Sequence, residues 1–450
     1  MSSELPIAHV HSHSDVDLPV SPSHKRNLLI GVLLVFIATF VGIVSTFPSS
    51  SAINEASKVA RETIDFSEKQ VPATVDGFVK RICDGQESLP EAQQKSCNYV
   101  LFDSKTKKIT PTEGELCVKN QPFLKDDTKP VRYCVEQAFD FEGSLTPKFE
   151  IGQEVVLNYR SSDGISPEFR YQYGDNDRRM ILVVLFALFL LAVFVFGRWK
   201  GMLAVAGLIM SLVIIVVYIL PALVTGENGM IVALSGGAAV AAAALYIAHG
   251  FKNSTHIAFL SSIGSVLTIA LLAQIFFAFG KFSGFVSEEA SFLAASGSGV
   301  DIRGLLIAGV ILASLGALDD MTVTQVSAVS EIHNARSDYK FAELWKSAVR
   351  IGRDHVASTV NTLALAYVGT SLATMVLFVI AKQQLQWVAN SEAIAVEITG
   401  ALIGSIGLIV AVPLSTALAA YAVHQSGEHD HAHDQTDESD EEEKKSDLQK

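Results

Sequence analysis

Three uninterrupted apolar blocks, Leu28 to Phe47, Met180 to Phe196 and Leu203 to Leu220, constrain this chain more than any other feature. Each is about as long as a helix needs to cross the hydrocarbon core of a bilayer, and no soluble fold exposes or buries such runs repeatedly. Further runs of the same kind occupy roughly 230 to 248, 256 to 279, 304 to 318, 359 to 381 and 394 to 421. The expected fold class is therefore a polytopic α-helical membrane protein with about eight transmembrane helices. The charged fraction agrees, at 18% against about 25% for soluble chains.

The chain divides by composition. Residues 1–27 are polar and read as a disordered cytoplasmic N-terminus. Residues 28–47 form the first span, and Thr46-Phe47-Pro48 offers no small-residue cleavage site, so an uncleaved anchor is expected. Residues 48–179 form an extracytoplasmic domain, residues 180–421 the remaining seven spans, and residues 422–450 an acidic, His-containing cytoplasmic tail. That tail holds ten Asp/Glu against three Lys, so it supplies seven of the thirteen formal negative charges. No basic stripe interleaved with aromatics appears, which argues against nucleic acid as a partner.

Two independent arguments orient the chain. Basic residues precede the first span, and the loops then assigned inside carry Arg198, Lys200, Lys252, Arg336, Lys340, Lys346, Arg350 and Arg353. The short loops assigned outside after the second span carry only Lys281, Arg303 and Lys382, the expected positive-inside bias with both termini cytoplasmic. All four cysteines, Cys83, Cys97, Cys117 and Cys134, fall in the segment this topology puts outside. An even count confined to one oxidisable segment reads as two disulfides, with three pairings open. The spacings are too wide for a CxxC metal site. Short β-prone runs at Tyr99 to Phe102, Glu154 to Tyr159 and Phe169 to Tyr173 predict a small β-rich domain compatible with a barrel, and Ile53 to Phe66 reads as a helix.

Chemistry concentrates at the sixth span. Gly304 to Leu318 gives about 15 apolar residues before Asp319 and Asp320, short for a span. One reading is a broken span, turning near Gly316, with Asp319, Asp320, Thr322, Thr324 and Gln325 opening a second helix toward a cation or polar solute. The other ends the span at Leu318, with Asp capping an interfacial helix. Asn361 and Thr362 enter the seventh span from the same side, and Glu397 marks the opposite end of the eighth. Gly236, Gly237, Gly400, Gly404 and Gly407 suit close helix packing, and Pro413 is a candidate kink.

Eight of the twelve histidines lie in the tails (His9, His11, His13, His24, His424, His429, His431 and His433), a composition that suits weak divalent-metal binding or a solvated low-complexity tail. No Walker A loop, HExxH or GxSxG motif occurs, so no enzyme, cofactor or resident metal is expected.

The stretch Leu315-Gly-Ala-Leu-Asp-Asp-Met-Thr-Val-Thr-Gln-Val-Ser-Ala-Val-Ser-Glu331 resembles the signature of YibE/F-like bacterial integral membrane proteins, most of all their actinobacterial branch. So do Phe196-Gly-Arg-Trp-Lys-Gly201, Leu245-Tyr-Ile-Ala-His-Gly250, Gly352 to Tyr367 (including Asp354 and His355) and Gly404 to Leu414, over roughly residues 150 to 421. The resemblance implies a multi-pass protein of the bacterial plasma membrane. The expected partners are the bilayer and an ion or small solute, with self-association open. The functional expectation is a transporter using intramembrane carboxylates. The alternative is a sensor or assembly factor whose outer domain binds a ligand or partner.

Overall fold

The computed structural model describes residues 18–63, 69–82, 96–104, 133–139, 149–159, 171–295 and 299–447. Cys83, Cys117, His9, His11 and His13 lie outside them, as do Phe169 and Arg170 of the third β-prone run. The chain forms two compact units, one of residues 1–64 with 193–450, the other of residues 65–192.

The smaller unit is built on a five-stranded antiparallel sheet. Its strands are β1 (Lys69–Ile82), β2 (Ser96–Ser104), β3 (Tyr133–Phe139), β4 (Glu154–Tyr159) and β5 (Tyr171–Asn176), in the order β3-β2-β1-β4-β5. β1 is long enough to serve two partners. Its first half pairs with β4 from Lys69↔Tyr159 to Thr74↔Glu154, and its second half with β2 from Ala73↔Ser104 to Ile82↔Ser96. A register shift between Val75 and Gly77 falls where the partner changes, the place a bulge would bend the strand. The outer strands β3 and β5 approach each other, so the sheet curls into a nearly closed barrel. This neighbour order is that of the five-stranded OB fold. Val75, Val155 and Leu157 fill its interior. The β-rich expectation holds, and the run Glu154 to Tyr159 is β4 residue for residue.

The larger unit is helical: α1 (Pro22–Thr46), α2 (Ser50–Thr63), the greater part of α3 (Arg179–Ile214), a π turn at Ile215–Ile219, α4 (Leu220–Val224), α5 (Gly229–His249), α6 (Asn253–Phe279), α7 (Glu288–Ala295), α8 (Ile302–Ala335), α9 (Phe341–Thr370), α10 (Leu372–Ile380), α11 (Leu385–Asn390) and α12 (Glu392–Asp447). α2 corresponds to the helix read at Ile53 to Phe66, shifted by about a turn. Among the described residues six helices are long and apolar enough to cross a membrane, or seven with α9 and α10 as one span bent by 58°. The chain is thus a membrane-embedded protein in its larger unit, where about eight spans were expected. The π turn precedes Pro221, which has no N–H to donate back into the helix, so the local ladder is re-spaced. α3 is not one straight rod: Arg198 adopts φ 48°, ψ −138°, and a Cβ on Gly201 would lie 2.9 Å from the Val193 carbonyl oxygen, a contact only a doubled-back chain can make.

Residues 18–27, expected to be disordered, are anchored. α1 starts at Pro22, Leu18 is 1% exposed, and the Leu18 carbonyl accepts from Asn253 Nδ2 at 3.2 Å. Buried apolar area at Leu18 decides this against the polar character of the segment as a whole.

α5, α6, α8, α9 and α12 pack together around Ile269, Ile311, Leu315, Leu318 and Leu408, all fully buried or nearly so. Small residues allow the approach, as the sequence suggested. Cβ atoms at Gly236, Gly404 and Gly407 would meet Ile219, Ser314 and Ile269. Pro413 is accommodated inside α12.

Candidate functional site

α8 runs unbroken from Ile302 to Ala335, about 51 Å at 1.5 Å per residue, so neither the turn near Gly316 nor an end at Leu318 is present. Nothing in that stretch breaks a helix, since a lone glycine costs only about 1 kcal/mol against alanine. The interrupted span is the next one, where Ser371 (φ −91°, ψ 3°) separates α9 from α10.

Helical periodicity then divides the candidate residues. Asp319, Thr322 and Gln325 recur every three positions on the face turned toward α6 and α12, while Asp320 and Thr324 are exposed on the other. Thr322 is fully buried, and its hydroxyl lies 2.9 Å from that of Ser262 on α6 and donates to the Asp319 carbonyl at 3.1 Å. The Ser262 hydroxyl also faces the Asp319 carboxyl. Asp319 Oδ1 and Ser265 Oγ are both buried with no hydrogen-bond partner among the described residues. The result is a small polar island of Asp319, Ser262 and Thr322 inside an apolar bundle, with Ser265 three residues further along α6. Such an unsatisfied carboxylate oxygen is costly unless it takes up a proton or a cation.

The island is approached from one side. A cavity of about 490 Å³ lies between the start of α6 (Ser254, Thr255, Ala258) and the far half of α8 (Val323, Ser327, Ser330), with Lys200, His249, Lys252 and Glu331 at its walls. Its lining ends at Ala258 and Val323, each one helical turn, about 5.4 Å, from Ser262 and Asp319 respectively. On the other side of the island Ile311, Leu315, Leu318, Leu363 and Ile403 pack without a gap in polarity except Ser314, whose hydroxyl is satisfied by its own helix at Val310 O, 2.8 Å.

Gln325 serves a different purpose. Its Nε2 donates to the Ala348 carbonyl on α9 at 2.9 Å and to Thr416 Oγ1 on α12 at 2.7 Å, tying three helices together where Gly352 leaves room. Asn361 and Thr362 are exposed, and the Thr362 hydroxyl bonds back to Ser358 O at 3.1 Å, so neither reaches the island. Asp320 is exposed, with His355 Nε2 3.9 Å from its carboxylate. Glu397 is half-buried beside Tyr367, whose hydroxyl is buried without a partner among the described residues. No group of three or more metal-ligating side chains occurs among the described residues.

Sequence reasoning overlooked Ser262, Ser265 and Tyr367. The spacing Ser261-Ser262-Ser265 within an otherwise apolar span was the available signal. It also overlooked Glu392, which accepts from the Ser283 backbone (2.6 Å), the Ser283 hydroxyl (2.8 Å) and the Gly284 backbone (2.7 Å), fastening the loop after α6 to the start of α12.

A family model described as YibE/F-like protein matches residues 185–425, more than half of the 450-residue chain. The match begins inside α3, so the β unit lies almost wholly outside it. No curated protein and no solved structure matches.

Proposed function

The chain belongs to the YibE/F-like protein family, and on that premise we propose that it is a bacterial plasma-membrane transporter of an ion or small solute, in which Asp319 takes up and releases a proton or cation. The single observation that carries this reading is the buried Asp319 Oδ1, without a hydrogen-bond partner among the described residues, one helical turn from Val323 on the wall of a cavity that Lys200, Lys252 and Glu331 also line. A carboxylate in that position exchanges its proton or ion with one side only until the packing of Leu315 and Leu318 opens toward the other, which is the requirement of alternating access.

Counting α3 as two spans about its Arg198 break, with α9–α10 as one bent span, brings the total to eight. Both termini are then cytoplasmic, the cavity faces the cytoplasm with Lys200 and Lys252, and the β unit lies outside with its cysteines oxidised. The OB-type strand order supports a secondary reading in which that unit recognises a ligand or partner, as a sensor would.

The test is flux of protons, sodium and divalent cations into proteoliposomes holding wild-type, Asp319→Asn or Asp320→Asn protein. Asp319→Asn should abolish flux while Asp320→Asn retains it. Wild-type rates in the Asp319→Asn protein would overturn the assignment.

A further inference from the structure

The cavity beside Asp319 has an electrostatic character of its own. Lys200 and Lys252 line it against one carboxylate, Glu331, so the charged side chains of its wall sum to a positive value. His249 lines it too and lies within electrostatic reach of both lysines, which places the three basic groups close together. A cleft whose charges are mainly of one sign concentrates ions of the other, here anions. The wall also offers hydrogen-bond donors, the hydroxyls of Ser254 and Thr255 from the first turn of α6 and those of Ser327 and Ser330 from α8. Lysine is a point-charge partner for phosphate, and hydroxyls serve the oxygens that two ammonium groups leave over.

Size and lining narrow the ligand further. At about 490 Å³ the cavity falls in the range of sites that hold small organic molecules, more room than a bare phosphate ion fills. Leu203, Ile247, Val323 and Val326 supply apolar wall for a carbon skeleton. We infer that this cavity binds a small organic phosphate, with Lys200 and Lys252 as the charged contacts to its phosphate group. That such a molecule is the solute moved rests on the transport reading given above; that it binds does not.

The test is equilibrium binding of radiolabelled inorganic phosphate and glycerol phosphate to full-length protein purified in detergent. Wild-type and Asp319→Asn protein should bind both, and glycerol phosphate the more tightly because its carbons meet apolar wall. The Lys200→Gln/Lys252→Gln variant should bind about tenfold more weakly or worse at unchanged Tm, while Lys200→Arg/Lys252→Arg, which keeps the charge, should bind within a few-fold of wild type. A folded Gln variant that binds as wild type does would overturn the site. Wild-type protein that binds neither soluble phosphate would overturn the solute, and native mass spectrometry then decides what remains. Phospholipid retained by wild type and lost from the Gln variant would assign the phosphate to a lipid headgroup, whereas equal retention would remove the site altogether. Asp319-dependent cation flux without phosphate binding would leave the transport reading standing and this one overturned. Phosphate binding with flux indifferent to Asp319→Asn would do the reverse.

Discussion

Gln325 shows how one side chain holds three helices. Its amide nitrogen donates to Ala348 O and Thr416 Oγ1 from a position 2% exposed. Thr416 in turn donates to Val412 O at 2.7 Å. Gln325→Leu therefore removes two hydrogen bonds while filling similar volume, and should cost about 1–2 kcal/mol. Thermal unfolding in detergent should record this as a Tm several degrees lower, with cation flux retained, because Gln325 lies nearly two turns beyond Asp319. Unchanged Tm would mean that the amide is not bonded as described. Asp319 and Asp320 make the complementary point about legibility. The sequence flags both carboxylates equally, but consecutive helical residues point about 100° apart, and only the packing partner decides which is inside. That partner is Ser262, more than fifty residues earlier in the chain, and nothing local to Asp319 names it. Asn361 and Thr362 meet the same limit: both lie within α9, and both are exposed on it.

At the scale of elements, span positions were legible because twenty apolar residues have few other fates, whereas interruptions were not. Gly316 looked like a break yet has open space around it and stays helical, while Ser371, with no Gly or Pro neighbour except Gly369, marks the true one. The glycines that matter are those with backbone against them. A Cβ on Gly229 at the start of α5 would sit 2.5 Å from both Cα and C of Gly304 on α8, atoms that cannot rotate away. Gly229→Ala should force the two helix ends apart and destabilise by about 1–3 kcal/mol. Gly309→Ala, on the same helix but with nothing within 4 Å, should be neutral or stabilising by up to about 1 kcal/mol. Equal Tm values for the two variants would show that α5 and α8 do not meet through those glycines.

Across the whole molecule, charge and burial place opposite demands on the chain, and their division between two units resolves them. The β unit has its own small interior and strand ladders, and at its junction with α3 Asp177 accepts from the Arg179 backbone and guanidinium, which pulls its carboxyl down to about 2. The helical unit instead exposes most of α1 and α3 as apolar surface, as lipid contact requires, and keeps its few polar side chains between helices. Ser327 on the cavity wall is exposed and Ser314, beyond the island, is fully buried. Cysteines introduced singly at these positions report both orientation and access. With the native cysteines oxidised, a membrane-impermeant maleimide should label Ser327→Cys in inside-out vesicles, leave it untouched in intact cells, and label Ser314→Cys in neither. Labelling of Ser327→Cys from the outside would reverse the membrane orientation and put the cavity on the extracytoplasmic face. Labelling of Ser314→Cys from either side would mean that the packing around Leu315 and Leu318 opens without substrate. Asp319 would then stand in a continuous channel instead of a pocket with alternating access.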